Sequence, residues 1–225
     1  MRGDRRDEAP PRARCAGGAR RYKRAVPDKN PWMTIDFAAQ RAAMVEGQVR
    51  TADVTDYLVQ DAMRVVAREA VLPPERAYLA YADVEVEYAP GRWLLKPRDV
   101  GKLLQALRPR RGERALAISA PYAAAVLEQV GLAVAQCDAA EPAPQSVSGA
   151  AFDVVICEGA VSDTPAAWLA AMASPAGRLG VVVRNGPVAR ARLYVPAESG
   201  AAFRDLFDCA APLMSGFEPK RAFAF

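Results

Sequence analysis

Residues 114–131 read RALAISAPYAAAVLEQVG, and the order of strand, turn and helix within this stretch decides the fold. The short apolar run at 115–118 predicts a buried strand, and the run at 122–130 predicts a helix that Gly131 ends. A strand passing directly into a helix opens a doubly wound α/β domain, in which a ligand lies against the helix N-terminus. The turn between them is ordinarily glycine-rich, because the chain bends tightly and a ligand must approach bare backbone. Here it reads Ser119-Ala120-Pro121-Tyr122, with a side chain at every position and no N–H on Pro121. The fold therefore reads as intact while the ligand cradle reads as damaged.

Downstream of this stretch the alternation continues. Residues 132–137, 152–157 (FDVVIC) and 179–184 predict strands, and 164–172 a helix. These strands are apolar with little polar alternation, the pattern of a parallel sheet covered on both faces. Residues 192–195 and 202–209 read as a terminal antiparallel pair. Upstream, 36–50 and 55–69 read as amphipathic helices. The second is expected to be capped by Thr55 and to bury Leu58, Val59, Ala62, Met63 and Val66 on one face. A proline-punctuated stretch follows at 72–91. Pro97 then suits the first turn of a helix that buries Val100, Leu103, Leu104 and Leu107, with Arg98 and Asp99 either an ion pair or, the favoured reading, a solvated start. The expected fold class is α/β, a mostly parallel doubly wound sheet with a terminal antiparallel pair and an N-terminal helical extension.

Composition narrows the chemistry. A chain of 225 residues suits one large domain, or a domain with an appendage, and buries roughly 70 to 75% of its unfolded surface. Cys15, Cys137, Cys157 and Cys209 form no CxxC pair and the chain has no histidine, which excludes zinc fingers, histidine-based triads and histidine metal sites. No metal is expected, and Cys157 reads as a small buried hydrophobe. No apolar stretch approaches the roughly 20 residues of a membrane span, and the N-terminus has no signal-peptide core, so the expectation is a cytoplasmic protein with no membrane partner. The formal charge of +4 is unevenly spread: residues 1–32 carry +6, leaving −2 for the remainder. That first segment is rich in Arg, Pro, Gly and Ala, the composition of a disordered arm, or of upstream sequence translated from an early start codon. It offers the one route to a nucleic-acid partner, which is not the expected one.

Several ordered landmarks together resemble the protein-L-isoaspartate O-methyltransferase family in its shorter bacterial form. They are GQVRTADVTD, DAMRVVARE, the proline of LLKPRDVGKLLQAL, FDVVICEGAV, PAGRLGVVVRNG and the ending FDCAAPLMSGF. The resemblance covers about residues 36–225 and rests on order and spacing, since no single motif is specific. It implies a Rossmann-like methyltransferase fold, S-adenosyl-L-methionine as cofactor, and isoaspartyl-containing proteins as partners whose α-carboxyl is methylated for repair. The implied division is an arm at 1–32, N-terminal helices and a substrate-side segment at 33–112, and the methyltransferase core at 113–225.

Such a methyl transfer asks for orientation and a dry site more than for acids and bases, so the lack of histidine is no obstacle. The cofactor seat carried over from the resemblance comprises Ser119, Ala120 and Tyr122 in the turn, Asp138 as acceptor for the ribose diol, and Glu158 and Gly159 after FDVVIC. Asp138 reads equally as a solvated loop aspartate. Three departures stand against activity. The glycine turn is short by two residues. Leu95 falls where the family places a serine implicated in the reaction, and a leucine cannot hydrogen-bond a carboxylate. Residues 139–151 (AAEPAPQSVSGAA) are too few and too rich in Pro and Ser to supply the usual helix and strand beside the adenine. The expectation is a family member with weak or lost catalysis. The alternatives are a non-catalytic peptide-binding or regulatory module, and a nucleic-acid-associated protein acting through the basic arm.

Overall fold

Asp36 starts the first helix, its carboxylate accepting the Ala39 N–H at 3.0 Å. The computed structural model describes residues 35–140, 152–172 and 175–219, so the basic arm and nearly all of 139–151 lie outside the described residues. Helix α1 (Phe37–Met44) runs on through a π turn at Val45–Val49 and a 3-10 turn at Arg50–Ala52, as the sequence predicts. Helix α2 (Tyr57–Val65) departs from expectation at both ends. Its cap is Asp56, which accepts the Leu58 and Val59 N–H groups, while the Thr55 amide is turned away to Gln105 Oε1 at 2.6 Å. It stops at Val65 rather than 69, and a 3-10 turn covers Arg68–Val71. Val59, Ala62 and Met63 are buried, but Leu58, in the first turn of the helix, is 46% exposed.

The proline-rich stretch contains structure that periodicity did not reveal. After a 3-10 turn at Pro74–Leu79, strands β1 (Val86–Ala89) and β2 (Arg92–Leu94) form an antiparallel ribbon turning at Pro90-Gly91. Helix α3 (Pro97–Leu107) then buries Val100, Leu103, Leu104 and Leu107 completely, as expected. Asp99 corrects the reading of a solvated start: it is buried, and Arg98 reaches both Asp83 at 3.1 Å and Asp99 at 3.8 Å, the ion-pair alternative.

The main sheet contains β3 (Arg114–Ile118), β4 (Ala133–Cys137), β5 (Val154–Val161), β6 (Arg178–Val183), β7 (Ala189–Ala197) and β8 (Gly200–Cys209) in the order β4-β3-β5-β6-β7-β8. The first four are parallel, and β7 and β8 are antiparallel additions. Helices α2, α3 and α4 (Pro121–Val130) cover one face, with Ala115, Ala117, Val154, Ile156 and Val182 pointing into that core. The other face buries Leu116, Ile118, Val155, Leu179 and Val181 beneath Trp168, which lies in the short helix α5 (Ala166–Ala170). Alternate residues of each strand thus serve two cores, which is why the strands read as unbroken apolar runs. Among the described residues, no helix is long and apolar enough to cross a membrane.

Candidate functional site

In an open α/β sheet the ligand position lies beyond the carboxyl ends of the parallel strands, at the point where the strand order reverses, here between β3 and β5. The turn after β3 bends there at Ser119, which takes a left-handed φ of 44°. In this conformation its N–H and its hydroxyl are both engaged. Its N–H donates to the Cys137 carbonyl at 2.8 Å, its Oγ donates to Asp138 Oδ2 at 3.2 Å, and Oγ accepts the Ala139 N–H at 2.8 Å. Ser119 and Ala120 are buried, so the turn faces inward.

Glu158 sits within β5, not beyond its end as the sequence reading placed it. The strand continues to Val161, and all eight of its residues are buried. The Glu158 carboxylate reaches across to α4, where Oε1 accepts the Ala123 N–H at 2.8 Å. Helix α4 has no side-chain cap at Ala120 and begins with a proline, so its first amides are open to an anion. The chain fills that place with its own carboxylate. Gly159 follows with φ of 106°, and a Cβ there would come within 2.7 Å of Met214 Cγ. The C-terminal segment presses onto β5 at this glycine, where the pairing with β6 is irregular.

Beneath Glu158 lies a buried polar cluster. The Arg68 guanidinium stacks 4.7 Å from the centre of the Tyr122 ring and donates through Nη2 to the Leu95 carbonyl. Arg68, Tyr122, Leu95 and Glu158 are all inaccessible to solvent. Among the described residues Glu158 Oε2, the Tyr122 hydroxyl, and Arg68 Nε and Nη1 have no hydrogen-bond partner. Burial pushes the Glu158 carboxyl up to about 7, against the pull of Arg68 and of nearby backbone amides. Burial also raises the Tyr122 hydroxyl and lowers the Arg68 guanidinium.

Asp138 stands just past β4, where a ribose acceptor is expected, and its carboxylate is fully engaged. Arg92 donates to it from Nε at 3.0 Å and from Nη2 at 2.8 Å, a two-point fork. The Ala140 N–H donates to Oδ1 at 2.8 Å. These bonds, led by Arg92, hold the Asp138 carboxyl down at about 2. The third Arg92 nitrogen donates to the Gly91 and Ser215 carbonyls. One guanidinium therefore ties the β1–β2 ribbon and the C-terminal segment to the end of β4.

The structure thus gathers Ser119, Asp138, Glu158, Tyr122 and Leu95 at one edge of the sheet. Arg92 and Arg68 escaped the sequence reading. The Pro90-Gly91 pair is a turn signal that could have indicated the ribbon carrying Arg92. Arg68 was placed on an amphipathic helix, and only the early end of α2 turns it inward. The residues do not fit S-adenosylmethionine as they stand. The diol acceptor is forked by Arg92, the α4 amide is taken by Glu158, and the turn offers Cβ atoms in place of bare backbone. Among the described residues no group of three His, Cys, Asp or Glu side chains is placed to hold a metal ion.

Sheet order and ligand edge define a Rossmann-like methyltransferase fold. A Plasmodium falciparum structure described as a protein-L-isoaspartate O-methyltransferase in complex with S-adenosyl-L-homocysteine superposes with a TM-score of 0.63 at 13% identity, covering 78% of this chain and 98% of that one. A second protein-L-isoaspartate O-methyltransferase structure gives 0.59 at 17% identity, covering 78% and 66%. At such identities the likeness concerns the fold alone. Over shorter stretches the sequence is closer. Protein-L-isoaspartate O-methyltransferase 1 of Rhodopseudomonas palustris (strain HaA2) is 45% identical over 96 residues, 42% of this chain and 39% of that protein. The Methylorubrum extorquens (strain PA1) protein-L-isoaspartate O-methyltransferase is 40% identical over 101 residues, 44% of each. Over that shared segment the chain is similar to protein-L-isoaspartate O-methyltransferases. The matched segment spans only about two-fifths of those relatives' length, and no family model matches the chain.

Proposed function

We propose that this chain is a member of the protein-L-isoaspartate O-methyltransferase family that has kept the fold but closed the cofactor seat with its own side chains, and that it does not transfer methyl groups from S-adenosylmethionine. The observation that carries this reading is the Arg92 fork on Asp138, which engages both carboxylate oxygens that a ribose diol would need. A diol would have to displace a charge-assisted pair to reach Asp138. The Glu158 carboxyl occupies the Ala123 amide at the α4 N-terminus, a donor that the cofactor's own carboxylate would need. With Leu95 in place of the serine, the chain offers no hydroxyl to orient an isoaspartyl carboxyl there. The protein then acts by binding, in the cytoplasm, a compartment that the buried thiol of Cys157 suits.

A second reading, the family's repair methylation of isoaspartyl proteins, is favoured by the 45% identity to the Rhodopseudomonas relative. Calorimetric titration of S-adenosylmethionine and S-adenosylhomocysteine into the full chain separates the two. The expected result is no heat of binding up to millimolar ligand. Micromolar binding by the wild-type chain overturns the closed-seat reading and makes methylation of an isoaspartyl peptide the next assay.

A further inference from the structure

On the helical face of the sheet, away from the closed seat, two clefts adjoin. One, of about 510 Å³, lies between the start of α3 and the end of β8, and the other, of about 550 Å³, lies beside the later part of α3. Ala52 and Lys102 line both, so together they make one trough along the flank of α3 and β8. Helix α3 has eleven residues, a length of about 16 Å at about 1.5 Å per residue. An extended chain covers that length with about five residues.

The charges along the trough are unequal. In the first cleft Arg98 pairs with Asp83 at 3.1 Å and Lys96 with Glu85 at 3.9 Å, and Asp99 and Asp208 line it as well, so Lys102 is left as its one cation without an ion pair among the described residues. The second sets Lys102, Arg108 and Arg204 against Asp53 and Asp56, and the Asp56 carboxylate is committed to the α2 N-terminus. Among the described residues Arg108 and Arg204 have no ion pair, and both are exposed. Lys102 rests its ammonium 4.2 Å above the Phe207 ring. Leu206 and Phe207 give this cleft an apolar floor. Arg204, Leu206 and Phe207 belong to β8, the last strand of the sheet, whose outer edge has no partner strand among the described residues. Unpaired edge amides and carbonyls are the backbone template on which an extended segment adds to a sheet.

We propose that this trough is a docking site for an acidic polypeptide segment in extended conformation, its carboxylates on Lys102, Arg108 and Arg204 and its alternate apolar side chains on Leu206 and Phe207. Charge complementarity selects the acidic character, and the strand edge selects an extended chain over a free anion. The site lies apart from Asp138 and Glu158, so it stands or falls independently of the closed seat.

The test is fluorescence anisotropy of the full chain with a short labelled peptide of alternating glutamate and valine, against its glutamine counterpart. The glutamate peptide is expected to bind at low salt and the glutamine peptide to bind at least about tenfold more weakly. Arg108→Glu combined with Arg204→Glu is expected to cost a similar factor. If that double reversal unfolds the chain, Lys102→Met with Arg204→Gln serves in its place. Equal binding of both peptides, binding unchanged by the substitutions, or no binding overturns the proposal. So does displacement of the peptide by a single-stranded oligonucleotide as readily as by unlabelled peptide, which would mark an unselective polyanion surface.

Discussion

Glu158 concentrates the chemistry of this molecule in one side chain. A carboxyl buried among Tyr122, Arg68 and the start of α4 is costly to ionise, and its ordinary value near 4.5 rises to about 7. Because the folded state binds this proton more tightly than the unfolded chain does, Glu158 favours folding in its protonated form. That contribution is complete below about pH 4.5, declines as the pH rises, and is gone above about pH 7. Glu158→Gln keeps an acceptor for the Ala123 amide and never ionises. The variant is therefore expected to gain on the wild-type chain between about pH 5 and pH 8, by a few kcal/mol at most. Chemical denaturation across that range checks it, and parallel pH profiles for the two proteins would count against the assignment. Asp138 behaves oppositely: Arg92 holds it ionised, so its contribution is present at neutral pH and disappears only as the pH falls toward about 2. Neither behaviour is legible in the sequence, where Glu158 reads as a ligand contact and Asp138 equally as a ligand contact or a solvated loop aspartate. Burial and the Arg92 fork come from segments far away along the chain.

Among the elements, α2 shows most plainly how a one-residue difference propagates. Thr55 and Asp56 are both competent caps, and the sequence offers no ground to prefer the second. The structure prefers Asp56 because Gln105, on α3, accepts the amides of both Thr55 and Asp56 and fixes the entry of the chain. Asp56→Ala is expected to cost about 1 kcal/mol, and Thr55→Ala less than half of that. Thermal denaturation of the two variants decides it, and an equal loss for both would refute the cap assignment. Leu58 stays exposed in the first turn, and past the early end at Val65 the chain places Arg68 in the core beneath Tyr122. Helix α3 needed no such correction. Its apolar spacing and leading proline determine the same buried face in the sequence and in the fold, because four fully buried aliphatic positions at helical spacing leave the helix one way to pack.

Taken whole, the molecule is graded in burial from β5, with every residue buried, to β8, most of whose residues are exposed. Local opening follows the burial it exposes, so β5 amides are expected to exchange hydrogen only at rates set by global unfolding, and β8 amides considerably faster. Hydrogen exchange read by mass spectrometry tests this, and equal protection of the two strands would contradict it. The parallel order of the central strands and the antiparallel pair at the end were legible in the sequence, since each is a consequence of local patterning. Strands serving two cores must be apolar throughout, and a final pair lacking a crossover helix must return antiparallel. The ribbon at 86–94 was hidden by prolines and by its short strands. By itself, then, the sequence determined the α/β class, the faces of α3 and the absence of a glycine cradle, because those depend on residue type and spacing. Only the tertiary structure decided that Arg92 forks Asp138, that Glu158 caps α4 and that Met214 seals Gly159. Those contacts join residues 35 to 55 positions apart, and such pairings are fixed by how the sheet, ribbon and C-terminal segment pack together, which no local pattern records.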